Sequence, residues 1–287
     1  MKKKLSFISI ESLILTLIIF FGFASAIAFA APKSELIPRW QAHDARSQST
    51  IDHSPLKSFL HKYREEGSDG VARLAYTRVS PTDHQSLKKY VERLQTTPVL
   101  SLNRNEQYAF WVNLYNAATV DLILDYQPET GIKEINISPG FFSVGPWGKK
   151  YLKVEGSEIS LNTIEHNILR PIWKDPRTHY VLNCASIGCP DIPADPVQAQ
   201  GLEQQLEEAA RTYINHPRGV LIDQSGSVIL SSIYDWFSED FGDTESAILT
   251  HLRRYATEDL KIRLRGVTEI DGYRYDWSLN RSTKTQG

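Results

Sequence analysis

Apolar residues recur every three or four positions in several stretches of the chain, and each such stretch predicts a helix. Leu56, Phe59, Leu60 and Tyr63 mark one; Leu87, Tyr90, Val91 and Leu94 mark another, which opens on the turn and cap Ser80-Pro81-Thr82-Asp83. The helix predicted over 103–126 is different in kind. Phe110, Ala117, Val120 and Leu124 line one face, while Trp111, Leu114, Tyr115, Ala118 and Leu122 line the other. A helix that is apolar on both faces is covered on both, so it belongs at the centre of the fold. Asn103 followed by Glu106 has the form of a capping box at its start. Asn113 and Asn116 are carried inside by this helix and need hydrogen-bond partners there, either loops that they tie down or a site that they line.

The rest of the chain alternates short strands with helices. Residues 71–79 and 179–183 read as strands, and the runs 151–154 and 158–161 flank Glu155-Gly156-Ser157, a hairpin signature. A helix over 162–169 is expected to stop at Pro171 and Asp175-Pro176. Helices are also predicted over 202–214, 234–241 and 245–255, and Val220–Ile222 pairs with Val228–Leu230. Neither a linker nor a repeat interrupts 55–280. The reading is one α+β domain, several helices around a small, mostly antiparallel sheet, with the buried helix near 103–126 at its centre. Residues 31–54 look like a polar tether, and 281–287 like a tail.

The N-terminus changes the setting. Lys2 to Lys4 precede an apolar run from Leu13 to Phe23, broken only by Thr16 and Gly22, and Ala28-Phe29-Ala30 then reads as a small-x-small cleavage site. That is the form of an export signal over 1–30, which places the mature protein in the periplasm or outside the cell. Ala24-Ser25-Ala26 offers a second cleavage point. The rival reading is an uncleaved anchor, since Leu13 to Ala31 is just long enough to span a bilayer; it is the one membrane contact that the sequence suggests.

Charge narrows the partners: 32 basic residues nearly balance 34 acidic ones, and no basic run follows the N-terminus, so nucleic acid is not an expected partner. The chain has 2 cysteines, both in the stretch His179 to Pro190. In an oxidising compartment Cys184 and Cys189 can pair across their short loop. Alternatively Cys184, at the end of the predicted strand, is a nucleophile. His166 on the preceding helix would take its proton, backbone N–H groups of Ala185 to Gly188 or the side-chain amide of Asn183 or Asn113 would hold the oxyanion, and Asp240 could orient the imidazole. Ser186 and Trp147, the latter in a glycine- and aromatic-rich loop, would complete the walls of a cleft with Asn113 and Asn116. Glu165 beside His166 points elsewhere on a helix and is assigned to a capping box with Asn162. His166, Cys184 and Cys189 depart from zinc-site spacing, and the acidic cluster Asp235, Glu239, Asp240 and Asp243 matches no standard calcium loop. No metal or cofactor is called for. An inert, buried cysteine stays open beside the disulfide and the nucleophile.

Several blocks resemble one family. Asn105-Glu106-Gln107-Tyr108-Ala109-Phe110-Trp111-Val112-Asn113-Leu114-Tyr115-Asn116-Ala117 is similar to the hallmark helix of domain of unknown function 547 (DUF547). Ile164 to Arg170, Asp175 to Pro190, Ser231 to Phe241 and Tyr275 to Asn280 resemble its further blocks, in the right order across roughly 55–280. The resemblance implies an exported bacterial protein, since members often are; plant relatives carry the block beside a coiled coil. It ties Cys184 to the family pattern more firmly than Cys189, which serine replaces in the plant-like form. It implies no established activity. Two expectations stand side by side: a cysteine hydrolase or acyl transferase acting on peptide-like or amide bonds, or a non-catalytic envelope module holding a peptide or partner.

Overall fold

The computed structural model describes residues 32–140 and 143–282. The expected export signal therefore lies outside the described residues, and among those described no helix is long and apolar enough to cross a membrane.

Helix α1 (Ser54–Tyr63), with Pro55 in its first turn, buries Leu56, Phe59, Leu60 and Tyr63. Strands β1 (Arg64–Glu66) and β2 (Ala72–Leu74) come next as a hairpin in the register Arg64 to Leu74. The strand expected to reach Val79 stops at Leu74, and a 3₁₀ turn (Tyr76–Arg78) leads into α2 (Pro81–Gln95). Ser80 caps α2 by accepting from the Asp83 N–H at 3.1 Å.

Helix α3 (Arg104–Tyr126) runs through the centre, with 18 of its 23 residues buried. Asn103 Oδ1 accepts from the Glu106 N–H at 3.1 Å, but Glu106 does not return the bond; its carboxylate accepts from Ile51 N instead. Half of the expected capping box forms, and the other half is spent fastening the incoming chain. That incoming chain is no loose tether. Glu35 and Ile37 donate backbone bonds to His166 and Asn167, and Trp40 packs edge-on against Trp111.

Strands β3 (Leu152–Val154) and β4 (Ser157–Ile159) form the expected hairpin, turned by Glu155 and Gly156, both at positive φ. The next helix opens as a π turn (Thr163–Leu169) and tightens into α4 (Arg170–Trp173). Pro171 does not end it: at the head of an α turn its missing N–H costs nothing. The cap is also not the expected one. Ser160 Oγ accepts from Thr163 N and Thr163 Oγ1 accepts from Ser160 N, at 3.1 and 3.2 Å, which leaves Asn162 without a capping role and frees Glu165.

Helix α5 (Leu202–Ile214) packs beside a third small sheet. There β5 (Val220–Ile222) pairs antiparallel with β6 (Val228–Ser231), and β7 (Gly272–Arg274) pairs parallel with β6. Three short helices complete this half: α6 (Ile233–Trp236), α7 (Glu245–Tyr255) and α8 (Glu258–Arg263). Among the described residues the sheet is thus three small pieces, mostly antiparallel, inside an α+β domain.

Two buried clusters make the core. One surrounds α3 with Trp40, Trp111 and Ile164; the other joins α5, α7 and β6 through Tyr213, Leu230 and Leu252. The stretch 179–190 lies along the seam, with Val181, Leu182 and Ala185 in the first cluster and Tyr180 in the second.

Candidate functional site

The seam stretch is not a strand. Asp175 caps a 3₁₀ turn (Pro176–Tyr180), and the chain runs on from it as loop. A short apolar run is buried equally well as strand or as turn, so periodicity does not separate the two. Here the role of a neighbouring strand falls to one side chain. Asn116 on α3 donates to the Val181 carbonyl and accepts from the Asn183 N–H, both at 2.8 Å. The C-terminal segment laces the other side: Ile187 N donates to Ser278 O, Gly188 N to Asp276 O, and Asn280 N to Ala185 O. Between these supports Ala185 is held at φ +60°, a left-handed conformation that alanine rarely adopts and that sharply turns the chain after Cys184.

The turn presents the Cys184 thiol, partly exposed, to three hydrogen-bonding partners. Cys189 Sγ lies 2.9 Å away, Tyr275 Oη 3.1 Å and Ser186 Oγ 3.2 Å, and Tyr275 and Ser186 are themselves 2.9 Å apart. Both cysteines are free thiols. The bond from Cys189, with those from Ser186 and Tyr275, stabilises the Cys184 thiolate against its burial and brings the group down to about 7. Cys189 moves the other way: burial, then the neighbouring sulfur, push it well above the usual thiol range. One sulfur is poised to ionise and its neighbour to stay protonated.

The other predicted residues divide. Asn183 lies beside Cys184, but its amide donates to Pro190 O at 2.8 Å and its Oδ1 accepts from Ala185 N at 2.9 Å, so it shapes the loop. Asn113 is likewise occupied, exchanging two bonds with the Val197 backbone at 2.8 and 3.0 Å. Three of the four expected oxyanion donors are also committed, Ala185 N to Asn183 and Ile187 N and Gly188 N to the C-terminal segment. The two asparagines and these three N–H groups build the site without facing a substrate.

His166 does not meet Cys184 either. Its Nδ1 accepts from the Arg170 guanidinium at 3.1 Å, and burial together with that cation lowers the imidazole to about 3, which keeps it neutral. The Arg170 side chain is 2 % exposed and binds Glu239 and Asp240 as well. Asp240 orients an imidazole, though it is that of His179, at 2.7 Å from Nε2. Burial pushes Asp240 up, but the His179 bond and the Arg170 cation hold it below the usual carboxylate range. On the far side, His179 Nδ1 stands 3.7 Å from Glu165. Phe237 stacks on both imidazoles, 4.2 Å from His179 and 5.9 Å from His166.

Glu165, freed from capping, is buried against Tyr115. Burial raises its carboxyl to about 7, and the charge on Cys184 contributes in the same direction. A titrating carboxyl therefore sits in the electrostatic neighbourhood of the thiol, where a histidine was expected. The mouth is aromatic. Trp277 contacts Trp147, Trp236 and Tyr275 at 5.8, 5.5 and 4.6 Å, and Lys133 Nζ lies 3.6 Å over its ring. A recess of about 440 Å³ is lined by Lys133, Tyr275 and Trp277. Trp147 meets the recess only through its edge contact with Trp277.

Tyr275, His179 and Arg170 were not singled out by sequence reasoning. The sign that could have found Tyr275 is its place two residues before Trp277 in a polar C-terminal segment that has no core of its own. His166, Cys184 and Cys189 do not form a set of donors close enough to share a cation. Among the described residues such a set is His84, Asp121 and Asp125, and there Lys88 Nζ already lies 2.6 Å from Asp125 and 3.4 Å from Asp121.

Fold and site together define an α+β domain built around a thiol in a hydroxyl cradle. Residues 99–214, from the turn before α3 to the end of α5, match the model of a protein family described as protein of unknown function, DUF547, and over that stretch the chain is similar to this family. No curated protein and no solved structure matches it.

Proposed function

We propose that the protein is an exported thiol enzyme, a hydrolase or acyl transferase acting on peptide-like or amide bonds, with Cys184 as its nucleophile. The observation that carries this reading is the convergence of Cys189, Ser186 and Tyr275 on one partly exposed sulfur. A thiolate near neutral pH in a partly exposed position is the form in which cysteine attacks.

In the proposed step the Cys184 sulfur lone pair bonds to the acyl carbon and the carbonyl becomes an oxyanion. As charge leaves the sulfur, the Tyr275 and Ser186 hydroxyls are released to follow it to the oxygen, a role the loop amides cannot fill. The carbon–nitrogen bond then breaks, and the leaving nitrogen takes the proton the thiol gave up. Water hydrolyses the thioester, or an amine accepts the acyl group. Glu165 supports the proton traffic as a carboxyl that titrates near neutrality beside the site. The aromatic rim favours a second reading, a module that grips a peptide between Trp147, Trp236 and Trp277 without reacting.

The two are separated by incubating the protein with p-nitrophenyl acetate or an activated peptide ester and mapping the product by mass spectrometry. The enzyme reading expects an acyl group on Cys184 and none on the Cys184→Ala variant. Acylation confined to other residues, or none, overturns it.

A further inference from the structure

We infer that Cys184 and Cys189 are the attacking and resolving thiols of a dithiol pair that reduces exposed disulfides in peptides or proteins. This goes beyond acyl transfer and shares with it only a reactive Cys184. The cradle explains Ser186 and Tyr275, but it does not explain why a second thiol lies 2.9 Å from the first, buried and with no route to substrate of its own. A hydroxyl at that position would donate to Cys184 equally well. What sulfur adds is the ability to form a bond to Cys184.

The asymmetry of the pair fits an ordered exchange. Cys184 is the partly exposed member and the one that ionises, so it attacks first; an attacking thiol that titrates near ambient pH is also the most effective. Its sulfur bonds to one sulfur of the substrate disulfide, the substrate S–S bond breaks, and the other substrate sulfur leaves as a thiolate. In that mixed disulfide Cys184 no longer carries charge, so the neighbouring sulfur that helped hold Cys189 protonated stops doing so. The Cys184 backbone N–H already points at the Cys189 sulfur, at 3.0 Å, and favours its thiolate. Cys189 then releases its proton to solvent or to the departed thiolate and attacks Cys184. The second substrate thiolate leaves, and a Cys184–Cys189 disulfide remains. Two electrons pass from the dithiol to the substrate, and a dithiol reductant restores the pair for another round.

The test uses the reduced full chain and the disulfide reagent DTNB, scoring released thionitrobenzoate and protein mass. The exchange expects two equivalents released per chain and a product about 2 Da lighter than the reduced protein, with no adduct retained. In Cys189→Ser, release is expected to stop at one equivalent with the adduct held on Cys184. A wild-type protein that keeps the adduct on Cys184, or releases nothing, overturns the inference. Acylation of Cys184 by p-nitrophenyl acetate in the reduced wild-type chain reads the hydrolase proposal separately, because that step consumes no second thiol and leaves an acyl adduct rather than a disulfide.

Discussion

Tyr275 places its hydroxyl 3.1 Å from the Cys184 sulfur, although the two residues are 91 positions apart and the family match ends at residue 214. The contact exists because the C-terminal segment is laced to the 183–190 loop by backbone bonds at Ala185, Ile187 and Gly188. The matched region thus supplies the thiol, and a segment beyond it supplies one of the groups that tune it.

Tyr275→Phe removes that donor and keeps the ring. A hydrogen bond to a charged group contributes about 1.5–3 kcal/mol, and 1.36 kcal/mol corresponds to one pKa unit, so the thiol is expected to rise by about one unit or more. Alkylation of Cys184 by iodoacetamide at pH 7 should then slow by about fivefold or more, with the difference closing at alkaline pH, where both proteins carry a thiolate. An unchanged pH–rate profile would show that Tyr275 does not tune the sulfur.

Asn116 gives a stability prediction. Its amide serves two buried backbone groups, Val181 O and Asn183 N. Asn116→Asp can still accept from Asn183 but cannot donate to Val181, and it brings a charge into the core. Breaking such a pairing costs about 1–3 kcal/mol, more with a buried charge. A domain of this size loses about 2–4 °C in Tm per kcal/mol, so the melting temperature should fall by several degrees. Asn116→Asp melting with the wild type would remove Asn116 as the support of the loop.

The sequence announced the helices more clearly than the site, for physical reasons. The central helix was legible because burial on both faces left almost no polar residue between Tyr108 and Val120 apart from Asn113, Asn116 and Thr119. The turn at Glu155-Gly156 was legible because its backbone needs positive φ. The stretch from His179 was misread because its polar groups are satisfied by one distant amide rather than by a strand, a pairing that leaves no periodicity. His166 was paired with Cys184 on proximity along the chain, whereas the Arg170 cation turns it toward Asp240 and His179. Glu165 was hidden by a cap that Ser160 and Thr163 perform instead.

Acid should loosen the fold through histidines that it keeps neutral. His53 and His251 are each lowered to about 4 and His166 to about 3, chiefly by burial. Between an unfolded value near 6.5 and these folded values the unfolded chain binds more protons, so stability falls as pH drops through that window. Glu165 acts in the opposite sense: raised to about 7, it stabilises most below its unfolded value near 4.5 and loses that contribution as pH rises through 7. His179 is lowered with them, while burial raises Glu106 and Asp121 in the same sense as Glu165; four histidines outweigh these three carboxyls between about pH 6.5 and 4.5. The urea midpoint should therefore be lower at pH 5 than at pH 7, with each histidine contributing on the order of 1–2 kcal/mol to the difference. In His53→Gln, which stands apart from the thiol and contacts Tyr90, the difference between the two pH values should shrink. A midpoint that holds or rises on acidification would contradict this assignment of charge.

Gly188 links the fold directly to the chemistry. A β-carbon there would lie 2.7 Å from the Asp276 nitrogen and 3.0 Å from its oxygen, backbone atoms one residue from Tyr275. Gly188→Ala must therefore push the C-terminal segment off the loop and break the bond from Gly188 N to Asp276 O. Overpacking of this kind costs about 1–3 kcal/mol. The more telling effect is on the thiol, because a displaced segment takes the Tyr275 hydroxyl with it. Gly188→Ala is expected to melt lower than the wild type and to shift the alkylation profile of Cys184 upward as Tyr275→Phe does, and the double variant should shift it no further than either alone. If Gly188→Ala loses stability but keeps the wild-type profile, the lacing supports the fold without positioning Tyr275 on the sulfur.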